Sequence, residues 1–130
     1  MLLKRNIVLA PDEVLVHCIN LLPQKNERQT LSFSRLQEKA QAAIYTSEIK
    51  SYLYEPNVSV LKGGAYCMLC HQLPVEKLHP NSHLYTSHQY LSDFPGRKFC
   101  VIGYCNFNKK EVKKLLGGIE KANLTVRNFP

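Results

Sequence analysis

Four side chains have the types and spacing of a metal site. Two residues separate Cys67 from Cys70, twelve precede His83, and four separate His83 from His88. Zinc is four-coordinate and takes thiolate sulfur and imidazole nitrogen readily, and a C-x2-C turn presents two sulfurs to one ion. The two histidines, at helical spacing, would supply the remaining corners, so a structural Zn2+ is the expected cofactor. Cys100, Cys105, His71 and His79 are alternative ligands in the same half of the chain. Cys18 reads as a core residue, and His17 as a surface one.

The segment 66–88 resembles a two-Cys two-His zinc finger, of the matrin type, through Tyr66-Cys67-x-Leu69-Cys70 and His83-Leu84-x3-His88. It departs from that family in lacking an aromatic after the second cysteine. It also carries Pro80, which an ordinary finger helix would not accept in its interior. A helix beginning at Pro80 would still present both histidines. The resemblance implies zinc coordination more than groove reading, because fingers that read DNA come in arrays.

The elements that must position these groups follow from periodicity. Pro11 and two acids open a stretch in which Val14, Leu15, Cys18, Ile19 and Leu22 share a helical face, so 11–22 is expected to be a helix. Ser34 with Gln37 forms a capping box that starts a second helix over 34–45. A short third helix is expected over 47–54, stopping before Pro56. Asn57 to Lys62 alternates and is β-branched, so a strand is expected there, with Gly63-Gly64 as a turn. Lys98 to Tyr104 reads as a second strand. Asn108 with Glu111 starts a C-terminal helix whose apolar face is Val112, Leu115, Leu116 and Ile119. The closing LTVRNF is expected to return as a strand.

Charge is distributed unevenly along the chain. The net charge is +7 over 130 residues, and residues 97–130 hold eight Lys/Arg against two acids. Arg97, Lys98, Lys109, Lys110, Lys113 and Lys114 are therefore the candidate nucleic-acid contacts. Such a basic block favours nucleic acid, DNA or RNA, or an acidic partner. Lys109 and Lys110 stand in a first helical turn, where the macrodipole disfavours cations. Tyr85 and Tyr90, near the finger, could stack on bases.

Together these readings predict an α+β chain forming a single compact domain over 1–130. A helical N-terminal half (1–56) precedes a small sheet with a C-terminal helix and an embedded zinc-finger-like element (57–130). The predicted function is a small zinc-binding protein that binds nucleic acid without strong sequence specificity. A protein-interaction adaptor is the alternative, because APDEVLVHCINLLP resembles the opening helix of an F-box. A small zinc hydrolase is a third reading. More faintly, Leu61-Lys62-Gly63 and residues 96–116 are similar to the carboxyl-terminal domain of CobW-type metallochaperones. No catalytic residue is singled out: there is no P-loop, dinucleotide fingerprint or H-E-x-x-H. The N-terminal stretch does not read as a signal peptide, and no apolar run reaches the roughly 18–20 residues of a membrane span. An intracellular protein, of cytoplasm or nucleus and without a membrane partner, is expected, with its five cysteines reduced.

Overall fold

The computed structural model describes Ala10, residues 14–119, residues 121–123 and Thr125. Its first element is an antiparallel hairpin, β1 (Leu15–Leu22) and β2 (Glu27–Ser34), paired over all eight positions from Leu15↔Ser34 to Leu22↔Glu27. A single 3-10 turn, Pro23–Lys25, and Asn26 at φ 51° reverse the chain. Asparagine tolerates that left-handed conformation better than most residues.

The helix expected over 11–22 is therefore a strand across its described part, and the F-box resemblance loses its helix. Six of the eight residues in LVHCINLL are apolar or cysteine, a run that fits either period. The ladder to β2 decides, by satisfying every second backbone group across the pair. Val16, Cys18, Leu31 and Phe33 face inward, whereas Leu15, Ile19 and Leu21 are left exposed.

α1 (Arg35–Ala40) keeps the expected capping box in full. Ser34 Oγ accepts from Gln37 N and Gln37 Oε1 accepts from Ser34 N. The helix is only six residues long, against the twelve expected over 34–45, and Leu36 and Ile44 are exposed.

A four-stranded antiparallel sheet follows, in the order β4-β5-β3-β6. Its strands are β3 (Tyr52–Pro56), β4 (Glu76–Lys77), β5 (Tyr85–Ser87) and β6 (Gly96–Cys100). The helix expected over 47–54 is absent; Tyr52, Leu53 and Tyr54 are strand formers that here occupy the sheet's interior. Conversely, the strand expected at 57–62 is helix α2 (Val58–Gly63). Asn57 accounts for the reversal, because its Oδ1 accepts from Val60 N and caps the first turn. Gly64, at φ 76°, ends the helix in the left-handed conformation that glycine adopts without penalty.

α3 (Met68–Gln72) and α4 (Lys109–Leu115) complete the four short helices among the described residues. The predominantly helical N-terminal half is thus replaced by a mostly β architecture. The expected 98–104 strand begins earlier and ends at Cys100, and the strand expected at LTVRNF lies almost wholly outside the described residues.

The core joins hairpin to sheet. Phe33, Tyr54, Val60, Leu69, Val75, Tyr85 and Phe94 are at most 2% exposed. α2 lies directly on β1, where a Cβ on Gly63 would collide with Cys18 Sγ. Burying side chains of this size stabilises by about 1.5–3 kcal/mol each. No described helix is long and apolar enough to cross a membrane.

Candidate nucleic-acid interface

The Cys/His segment is built as structure. Cys67 precedes α3, and the backbone amides of Tyr66 and Cys67 both donate to Glu38 Oε1, at 2.9 and 2.8 Å, while Met68 N donates to Oε2 at 2.9 Å. One carboxylate thus satisfies three amides at the start of a helix. Burial, then the Glu38 charge, push the Cys67 thiol above its usual pKa, and burial does the same to Cys70. Both shifts favour the neutral thiol. Cys70 Sγ lies 3.8 Å from Ile44 O.

The histidines are engaged or dispersed. His83 stacks on Tyr66 at 4.4 Å between ring centroids, and burial, then the Lys77 charge, lower its pKa. His71 Nε2 donates to Ala42 O, His79 Nδ1 accepts from Asn81 N, and His88 is exposed. Cys100 is exposed on β6 and Cys105 is half-buried. Among the described residues, no group of three or more His, Cys, Asp or Glu side chains could hold a metal ion. The set Cys67, Cys70, His83 and His88 is not brought together, and the zinc-finger reading, its structural zinc and the zinc-hydrolase alternative are withdrawn. C-x2-C here marks a helix start and its first turn.

Two groups in this region escaped the sequence reading. Glu38 sits 28 residues before the amides it caps, with no local signal linking them. Lys77 is 2% exposed; its Nζ donates to His79 O and Pro80 O at 3.0 and 2.6 Å, and burial lowers its pKa. It closes the 79–82 turn from inside. Tyr85 is fully buried with its hydroxyl donating to Tyr66 O, so it cannot stack on a base; Tyr90 is 61% exposed.

The basic residues, by contrast, stand open. Asn108 caps α4 by accepting from Glu111 N, and Glu111 accepts from Asn108 Nδ2 and Asn106 N, bonds that lower its pKa. That anion offsets the cost of Lys109 and Lys110 in the first turn. Lys109, Lys110, Lys113 and Lys114 are all exposed, with Tyr104 73% and Phe107 78% exposed just upstream.

Arg97 and Lys98 lie elsewhere, at a groove of about 1300 Å³ between the hairpin and β6; the four α4 lysines do not line it. Arg97 faces Glu55 across the β3–β6 ladder at 3.6 Å. The groove also contains an amide relay. Gln29 Oε1 accepts from Asn20 Nδ2 and Asn57 Nδ2, at 3.1 and 3.0 Å, and Gln29 Nε2 donates to Gly96 O at 3.5 Å. No sequence motif announces it, because its members come from β1, β2, the cap of α2 and β6.

Comparison with known proteins agrees with this architecture. Residues 52–95 match a ferredoxin-like domain family and residues 96–130 match a THUMP domain-like family. No curated protein matches the chain. A crystal structure described as a "putative methyltransferase" from Porphyromonas gingivalis superposes over 94% of the chain, with a TM-score of 0.82 and 38% identity. The chain spans 30% of that protein's length. No zinc-finger family is recognised over 66–88. The two matched segments meet between Pro95 and Gly96, where β6 begins, yet β6 pairs with β3 of the first segment. The chain is therefore similar to a ferredoxin-like segment running into a THUMP-like one, the two sharing a single sheet.

Proposed function

We propose that this chain is the RNA-engaging part of an RNA-modifying methyltransferase. One observation carries the reading. The THUMP-like match starts at residue 96, and the excess of cations starts at Arg97. A THUMP-like segment points to RNA binding or modification, and the methyltransferase likeness points to the reaction it would serve. RNA thus replaces the open choice between DNA and RNA, and the adaptor alternative loses its helical basis. The role of the chain is to hold RNA through phosphates, with Lys109, Lys110, Lys113 and Lys114 as the main contacts. The β3–β6 ladder crosses the boundary between the two matched segments, so the THUMP-like segment begins inside the sheet of the ferredoxin-like one.

The test is fluorescence anisotropy of a labelled single-stranded RNA across a potassium chloride series. Replacing the four α4 lysines by glutamine should weaken binding and reduce the log-log salt slope by up to about 3, since each phosphate contact on a single strand contributes roughly 0.7. Unchanged affinity and slope would overturn this placement of the RNA.

A further inference from the structure

We infer that the groove between the β1–β2 hairpin and β6 is a base-reading site for single-stranded RNA, separate from the lysines of α4. The inference rests on the RNA reading above and adds where sequence or shape is discriminated. At about 1300 Å³, the groove exceeds the roughly 300–1,000 Å³ of sites that enclose one small molecule. It suits a run of nucleotides. Sequence-specific recognition of RNA targets unpaired strands, whose base edges are open to side-chain amides.

The relay makes such an amide ready in advance. Gln29 is clamped by two donors on its oxygen and a backbone acceptor for its nitrogen. Asn20 Nδ2 is in turn held on Gln29, which fixes the plane of the Asn20 amide. One N–H of that Nδ2 and the Oδ1 are left over from this bond, a donor and an acceptor on one amide, and amide groups of this kind discriminate bases. Fixing the amide before binding removes part of the ordering cost.

Charge divides the work between the two surfaces. Lys25, Arg28, Arg97 and Lys98 line the groove, but so do Glu27, Glu55 and Asp93, so its field is only weakly positive. The α4 cluster has four lysines around one acid, Glu111. Capture by charge belongs to α4, and discrimination by hydrogen bonding belongs to the groove.

The experiment uses the full chain and a short labelled RNA strand carrying one thiouridine, beside a duplex of the same sequence. Asn20→Ala should weaken single-strand binding about tenfold, equivalent to about 1.4 kcal/mol, and leave duplex binding nearly unchanged. Photo-crosslinks should map to peptides spanning 20–30 and 92–98. Far-UV circular dichroism checks folding; if Asn20→Ala does not fold, the crosslink positions on the unmodified chain decide alone. Wild-type affinity in the folded variant, with crosslinks confined to 109–116, would overturn the groove while leaving the RNA reading intact. An unmodified chain that binds neither RNA would overturn both.

Discussion

The Cys/His segment and the C-terminal basic segment look equally functional as strings of residues, yet the fold treats them in opposite ways. Between residues 66 and 88, Cys70, Lys77 and Tyr85 are buried and hydrogen-bonded to backbone, and His83 is stacked on Tyr66. Chemistry-bearing groups there are consumed in holding loops. Between residues 97 and 119, Ile102, Tyr104 and Phe107 are more than 70% exposed and the four lysines of α4 are solvent-facing. Groups that remain available to a partner are concentrated in the second region. Residue type showed which chemistry was possible, and only burial shows which of it is left over.

The sharpest test of the contrast compares Phe94, fully buried against Tyr54 at 4.7 Å between ring centroids, with Ile102, 82% exposed. Phe94→Ala should lower unfolding free energy by about 3–5 kcal/mol in a urea titration. Ile102→Ser should change it by less than about 0.5 kcal/mol. Equal losses would mean that the C-terminal segment is packed as tightly as the sheet, and the contrast would fail.

Glu38 tests whether the Cys67 turn is held by a carboxylate. Glu38→Ala leaves three backbone donors without their acceptor, and a hydrogen bond to a charged group contributes about 1.5–3 kcal/mol net. With the half-buried site partly rehydrated, a net loss of about 2 kcal/mol is expected in the same titration. If removal of Glu38 were neutral while chelators destabilised the protein, metal rather than carboxylate would be organising this turn.

What was legible in the sequence follows the same division. Local, short-range chemistry read correctly: the Ser34–Gln37 box, the Asn108–Glu111 cap and the Gly64 turn each depend on residues within a few positions. Elements decided by distant partners read wrongly. LVHCINLL became a strand because ERQTLSFS pairs with it, and the C-x2-C turn became a helix start because Glu38 reaches it. In NVSVLK the error was one of weighting, since the cap at Asn57 outranks the alternation of valines. The amide relay draws on four separate elements, and no spacing rule in a single sequence brings them together.

On the exposed side, Tyr104 sharpens the comparison through binding rather than stability. A 73% exposed ring beside a lysine cluster has no folding role that its loss would reveal. On the RNA reading proposed above it would stack on a base, an interaction worth about 1–3 kcal/mol by alanine substitution. Tyr104→Ala should leave the urea midpoint in place and weaken RNA binding at least about fivefold. Loss of stability without loss of binding would assign this ring to the fold.

The smallest expected effect separates a packed histidine from a metal ligand. The folded-state pKa of His83 lies below its ordinary 6.5, because burial and then Lys77 disfavour the imidazolium. The unfolded chain therefore binds the proton more tightly, and stability falls as pH drops through 6.5 toward the folded-state value. Above 6.5 the ring is neutral in both states and contributes no slope. His83→Phe keeps a ring to stack on Tyr66 and removes the titration. The difference in stability between wild type and variant should be flat from pH 8 to 7 and should shift in the variant's favour as pH falls below about 6.5. Carboxylates that titrate lower act in both proteins and cancel in the difference. A difference that stays flat through this range would mean that His83 is as solvated as the exposed His88, and the buried half of the comparison would lose its histidine.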